Sequence, residues 1–180
     1  MIYAVTNARG FTLIELLTVV AIIGVIAAVA VPGLLRARMS GNEASAVGSM
    51  RAIIAGEASY SATCARGGYA VKLEDLAKPP AGSTLGFIGP DLSTTGVLKS
   101  GYTVSLTDDA NPAVTAVGTA ATTCNGSAQT PSSSYFASAD PLTPGSSGTR
   151  YFAADSRGAI FLATAASVAN PIPAGTTVLQ

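Results

Sequence analysis

Apolar positions are concentrated rather than spread evenly along this chain. From Leu16 to Leu35 no charged residue interrupts a run rich in Val, Ile, Leu and Ala. At about 1.5 Å per helical residue the run reaches about 30 Å, the thickness of a bilayer's hydrocarbon core, so the pattern predicts a transmembrane helix. Gly24 and Pro32 fall inside it as expected kink points, since Pro32 lacks an N–H and crowds the preceding turn. From Arg36 to Ala62 the Gly residues are isolated and the helical pattern continues. At about 100° per residue Ala46, Val47, Met50, Ile53 and Ile54 share one face, while Ala44, Gly48, Ala52 and Gly56, spaced by four, lie near the opposite one. The bulky stripe fits onto a sheet; the small stripe lets another backbone come close. A continuous helix from Phe11 to about Thr63 would measure about 80 Å, too long for the rest of the chain to bury. It calls for lipid, other subunits, or both.

The pattern changes at Arg66, beyond which Gly, Pro, Ser, Thr and Ala dominate. Val97–Leu106 alternates as a strand with Gly101 as a bulge, and Ser134–Ala139 and Arg150–Ala154 read as two more. Asp155-Ser156-Arg157-Gly158 reads as a turn into a final strand, Ala159–Ala163, making a hairpin of the last pair. The fold class expected is α+β: one long N-terminal helix packed by its second half on a small antiparallel sheet of three to four strands. The tracts 113–123 and 131–134 read as loops, and the Pro-rich tail 169–180 leans toward disorder.

Composition narrows the function. Ten Lys+Arg balance ten Asp+Glu, charged residues make up 11%, and mean hydropathy is +0.44. Without clustered cations there is no counterion-releasing surface, which argues against nucleic acid as the main partner. The chain has no His, hence neither the commonest general base nor the commonest zinc ligand. No G-x-S-x-G, S-x-x-K, G-x-G-x-x-G or Walker A pattern occurs, so no catalytic residue, metal ligand set or cofactor is assigned and the chain does not read as an enzyme. The acidic pairs Glu74-Asp75 and Asp108-Asp109 read as solvated turn residues, and Asn125-Gly126-Ser127 fits the glycosylation sequon.

The edge of the apolar run carries the strongest signal. Arg9-Gly10 is followed by Phe11-Thr12-Leu13-Ile14-Glu15-Leu16-Leu17, then Val19-Val20-Ala21-Ile22-Ile23-Gly24, with Pro32 closing the run. This resembles the type IV pilins and the pseudopilins of type II secretion. The resemblance implies removal of a short leader by a prepilin peptidase between Gly10 and Phe11, N-methylation of Phe11, and a role in assembly for Glu15. One departure is a leader, Met1–Gly10, with a single basic side chain where several are common. The physics agrees: a carboxylate four residues into an apolar helix is costly in lipid, the helix N-terminus offsets part of that, and cleavage would create a cation on Phe11 for a neighbour's Glu15. A secretory signal cut after Ala30, at the small-x-small Ala28-Val29-Ala30, is a different reading, opposed by Glu15 where positive charge is expected.

The resemblance divides the chain into a leader (1–10), a transmembrane and polymerisation half-helix (11–35), an exported amphipathic half (36–65) and a β-rich head (66–180). It implies a homopolymer built with a prepilin peptidase/methyltransferase, a membrane assembly platform and a motor ATPase. The precursor would wait in the cytoplasmic membrane with its N-terminus inside, the bilayer being its first partner, and reach the cell surface as filament. A pseudopilin of a secretion apparatus shares the N-terminal motif and is the alternative. With the head exported, Cys64 and Cys124 meet an oxidising compartment and are expected to form a disulfide.

Overall fold

The computed structural model describes residues 10–179, so the leader lies outside the described residues except for Gly10. The chain divides into two compact units, the first ending at Ala37 and the second running from Arg38. Helix α1 spans Leu13–Thr63 and continues through Gly24 and Pro32. In the first unit every described side chain is exposed; Phe11, Leu13 and Val29 are each about 80% accessible. The most apolar window of the helix has a mean hydropathy of 2.7 and none of it is buried. Side chains with this transfer preference find no protein to cover them, as expected of a helix that is long and apolar enough to cross a membrane.

The second unit is built on an antiparallel sheet whose spatial order follows the chain. Its strands are β1 (Val97–Lys99), β2 (Tyr102–Asp108), β3 (Tyr135–Pro141), β4 (Tyr151–Asp155), β5 (Ile160–Ala163) and β6 (Thr177–Val178). A short helix, α2 (Leu73–Ala77), precedes them. The α+β class with a long helix on an antiparallel sheet is therefore correct, but the sheet has six strands rather than three or four.

Two local effects account for the difference. Ser100 and Gly101 both have positive φ, 48° and 73°, so the chain reverses there. Val97–Leu106 is thus not one strand with a bulge but a hairpin, pairing Val97 with Val104 and Lys99 with Tyr102. In the tail, Thr177–Val178 pairs with Phe161 and Leu162, and the Leu179 N–H donates to the Ile160 carbonyl at 2.8 Å. The described part of the tail is drawn into the structure.

Alternation decides what each sheet face meets. On β2, Tyr102, Val104 and Leu106 are fully buried and their neighbours Thr103 and Ser105 only partly so. These three, with Ala137, Ala139, Phe152 and Ala154, pack with Ala46, Met50, Ile53 and Tyr60 of α1 and with Leu73 and Leu76 of α2. The opposite sheet face buries Phe136, Ala153 and Phe161 beneath Val168 and Ile172, so the segment after β5 forms a second cover. β4 is accordingly buried on both sides.

The expected bulky stripe of α1 does face the sheet. The small-residue stripe does not hold together: Ala44, Gly48 and Ala52 are exposed, whereas Gly56 is buried. A Cβ on Gly56 would stand 2.6 Å from Ile88 Cγ2 and 2.8 Å from Leu76 Cδ2, so glycine there admits the 76–88 segment against the helix.

Candidate functional site

Gly10, Phe11 and Thr12 precede the helix, and all three are exposed. The Gly10–Phe11 peptide thus lies outside helical hydrogen bonding. The helix begins because Thr12 and Glu15 close on each other. The Thr12 N–H and hydroxyl donate to Glu15 Oε2 at 2.9 and 2.7 Å, and the Glu15 N–H donates to Thr12 Oγ1 at 3.2 Å. This is a reciprocal capping box, which satisfies two N–H groups that the first helical turn leaves without partners. The T-x-x-E spacing within FTLIE was the available signal for it. Among the described residues Glu15 joins no ion pair. It is a carboxylate on an apolar helix, turned back onto its own first turn.

The remaining sequence-selected residues lie in the second unit. Cys64 and Cys124 stand at disulfide distance, Cα atoms 4.7 Å apart, linking the end of α1 to the β2–β3 connection. The acidic pairs are solvated only in part, Glu74 and Asp108 being exposed, and they fall on α2 and at the end of β2 rather than in plain turns. Asp75 is buried and accepts the Ala128 and Gln129 N–H groups at 2.6 and 3.1 Å, while Glu74 accepts the Thr95 N–H and hydroxyl. Asp109 accepts from Ser134 Oγ at 2.7 Å, and the Asp108 carbonyl accepts from the Asn170 amide. The Glu74, Asp75 and Asp109 carboxylates brace loops by satisfying backbone and hydroxyl donors, whereas Asp108 contributes its backbone carbonyl. Asn125 of the sequon is buried too, its amide donating to the carbonyls of Asp75 and Lys78 at 2.7 and 3.0 Å. Among the described residues no three His, Cys, Asp or Glu side chains are placed to hold a metal ion.

Two carboxylates that the sequence reading passed over belong to the buried face of α1. Glu43 accepts the Thr149 N–H at 2.9 Å and pairs with Arg150, Nη2 to Oε2 at 2.7 Å. Burial works against its charge, but Thr149 and Arg150 prevail and hold its carboxyl below the ordinary value. Glu57 is fully buried and, among the described residues, accepts only the Ala70 N–H at 2.9 Å and has no partner for Oε1. Burial pushes its carboxyl well above the usual range, with the Ala70 hydrogen bond opposing weakly.

The folded state therefore holds a proton on Glu57 more tightly than the unfolded chain does. Stability from this residue is highest below the unfolded carboxylate range and declines as pH rises toward the folded value. Glu57→Gln, which imitates the protonated acid, should melt several degrees higher than the parent at pH 8. It should also lose most of the fall in melting temperature between pH 5 and pH 8. Thermal denaturation of the detergent-solubilised chain at both pH values checks this, and parallel curves for the two proteins would contradict a neutral buried Glu57.

Comparison with known proteins bears on the N-terminal segment. Residues 5–31 match the family model of the prokaryotic N-terminal methylation motif. Over 37 residues the chain is 62% identical to the type IV wide pilus major component PilA4 of Thermus thermophilus, a stretch covering 21% of this chain and 28% of that protein. The chain thus spans little more than a quarter of the length of the curated relative it matches. No solved structure matches it.

Proposed function

We propose that this chain, whose N-terminal segment is of the type IV pilin and pseudopilin kind, is a structural subunit of a type IV pilus-like filament. It is made as a precursor, cut between Gly10 and Phe11, methylated on Phe11, and polymerised through the first half of α1. One observation carries this reading: an entirely unburied apolar half-helix, led by Gly10–Phe11 and interrupted only by Glu15, continues into a folded sheet domain. Such a surface is stable in lipid before assembly and among copies of itself afterwards. The PilA4 relative is named as a pilus component, which favours a pilus over a secretion apparatus. In this reading a prepilin peptidase/methyltransferase processes the chain, and an assembly platform driven by a motor ATPase lifts it from the cytoplasmic membrane. The N-terminus faces the cytoplasm and the head is exported.

Intact-mass analysis of the subunit from sheared surface filaments tests the proposal. The expected species begins at Phe11 and is one methyl group heavier than its sequence. A mature chain beginning at Val31 would establish the signal-peptide reading in its place.

A further inference from the structure

Within the second unit, the segment after β2, the approach to β3 and the turn between β4 and β5 surround a cavity of about 320 Å³. That is the lower end of the range for small-ligand sites, about 300–1,000 Å³. Its walls are fixed before any ligand arrives. The Ala110 N–H donates to Asn170 Oδ1 at 2.8 Å and the Asn170 amide donates to the Asp108 carbonyl at 2.9 Å. Ile172, next along, is anchored in the core on the outer sheet face. These ties hold an apolar wall of Ala113, Val114, Pro171 and Ile172 in place.

The other wall is polar and directional. Ser134, which is buried, donates its hydroxyl to Asp109 Oδ2 at 2.7 Å and lies 3.0 Å from Ser156 Oγ. With the Ser134 proton spent on Asp109, Ser156 is the donor to Ser134 and keeps its oxygen lone pairs for another group. Arg157 commits Nε and Nη2 to the buried Asp155 and leaves Nη1 uncommitted among the described residues. Asp155, and more weakly Asp109, hold its guanidinium above the ordinary value, so both carboxylates converge on it. Asn111 accepts the Ala113 N–H at 3.0 Å on Oδ1, which leaves its Nδ2 as a donor. Two carboxylates against one guanidinium give the lining one net negative charge, which opposes phosphates and carboxylates. A wholly apolar ligand would strip water from the polar wall and return nothing. No aromatic ring lines the cavity among the described residues, so a planar base finds no platform. Vicinal hydroxyls, each donating and accepting at once, match acceptors set beside donors, and the C–H face of a sugar ring suits the apolar wall.

We propose that this cavity binds a neutral pyranose, its hydroxyls on Asp109, Ser156 and Arg157 and its ring against Val114 and Ile172. The site belongs to the second unit alone and stands apart from the filament reading, since unassembled chain carries it. The test takes the full chain in a detergent without sugar headgroups and reads saturation-transfer NMR on methyl glycosides of glucose, galactose, mannose and N-acetylglucosamine. Methyl glucuronide serves as the charged counterpart. At least one neutral glycoside should receive saturation and the glucuronide should not. Asp109→Asn keeps an acceptor for Ser134 but loses the charge, and should weaken binding about tenfold. Ser156→Phe, filling the cavity from an exposed turn, should abolish binding, while Arg51→Gln, outside the cavity, should leave it unchanged. If Ser156→Phe melts below the parent, Asp109→Asn alone decides. Silence from every neutral glycoside overturns the site, as does binding unaltered in the cavity variants or equal binding of the glucuronide. Calcium binding by calorimetry that Asp109→Asn removes, with no sugar bound, assigns the cavity to a cation and overturns it as well.

Discussion

Glu15→Leu should leave the chain cleaved, methylated and membrane-resident while lowering filament yield at least about tenfold. The substitution removes a charge from an apolar helix, so insertion is unharmed or improved. The Gly10–Phe11 junction is untouched, so processing persists. Assembly suffers because the α-amino group of a neighbouring Phe11 would enter a low-dielectric filament core without its carboxylate, and an unpaired buried charge is strongly unfavourable. The capping box adds a complication, since Glu15 also closes the first turn of its own helix through Thr12. Glu15→Gln separates the two roles: glutamine fills a capping box but carries no charge. If pairing with Phe11 governs assembly, both variants fail; if capping governs it, the glutamine variant assembles. Filament counts by electron microscopy, set beside membrane-fraction protein and intact mass, give the readout. Normal filaments from Glu15→Leu alone, with no parental copy present, would remove the assembly role.

Removal of the Cys64–Cys124 link should be the most damaging single change to the second unit. The residues are 60 apart in sequence, and closing a loop of that size stabilises by about 4 kcal/mol in the chain-entropy model. Cys64→Ser/Cys124→Ser should therefore melt about 10–20 °C below the oxidised parent. The loss concentrates at one place. The link holds Asn125 and Ser127 beside Tyr60, whose hydroxyl lies 2.5 Å from Ser127 Oγ, and beside the carbonyls that end α2. Non-reducing peptide mapping of the chain purified from its native host should recover the two cysteine peptides joined. Free thiols on both, or a melting temperature insensitive to reductant, would contradict a structural bridge.

What the sequence disclosed tracks the range of the interactions involved. A long uncharged run, an N-terminal motif and a hairpin turn at Asp155–Gly158 are local signals and could be read directly. The positive φ at Ser100 and Gly101 left only a glycine as its trace, and a lone glycine in a strand pattern serves a bulge as well as a turn. β6 is two residues long and exists only because β5 offers an edge, which no local pattern in a Pro-rich tail announces. The buried acids were closer to legible. Glu43 and Glu57 sit seven residues either side of Met50, on the face that carries Ala46, Ile53 and Tyr60. Counting apolar residues alone hid them, because a carboxylate on a buried stripe reads as an interruption until its partner is known. For Glu43 that partner is Arg150, more than a hundred residues away.

The buried amide of Asn125 turns a question of chemistry into one of timing. An oligosaccharyltransferase reads N-x-S as an accessible chain, yet in the folded head the nitrogen it would glycosylate is already donating to two carbonyls. Sugar could be attached only before the head closes, and a sugar attached then would obstruct the segment that carries Cys124 to Cys64. Occupancy at this sequon in a glycosylating host would thus count the molecules that were slow to fold, and those molecules should be the ones left with free thiols.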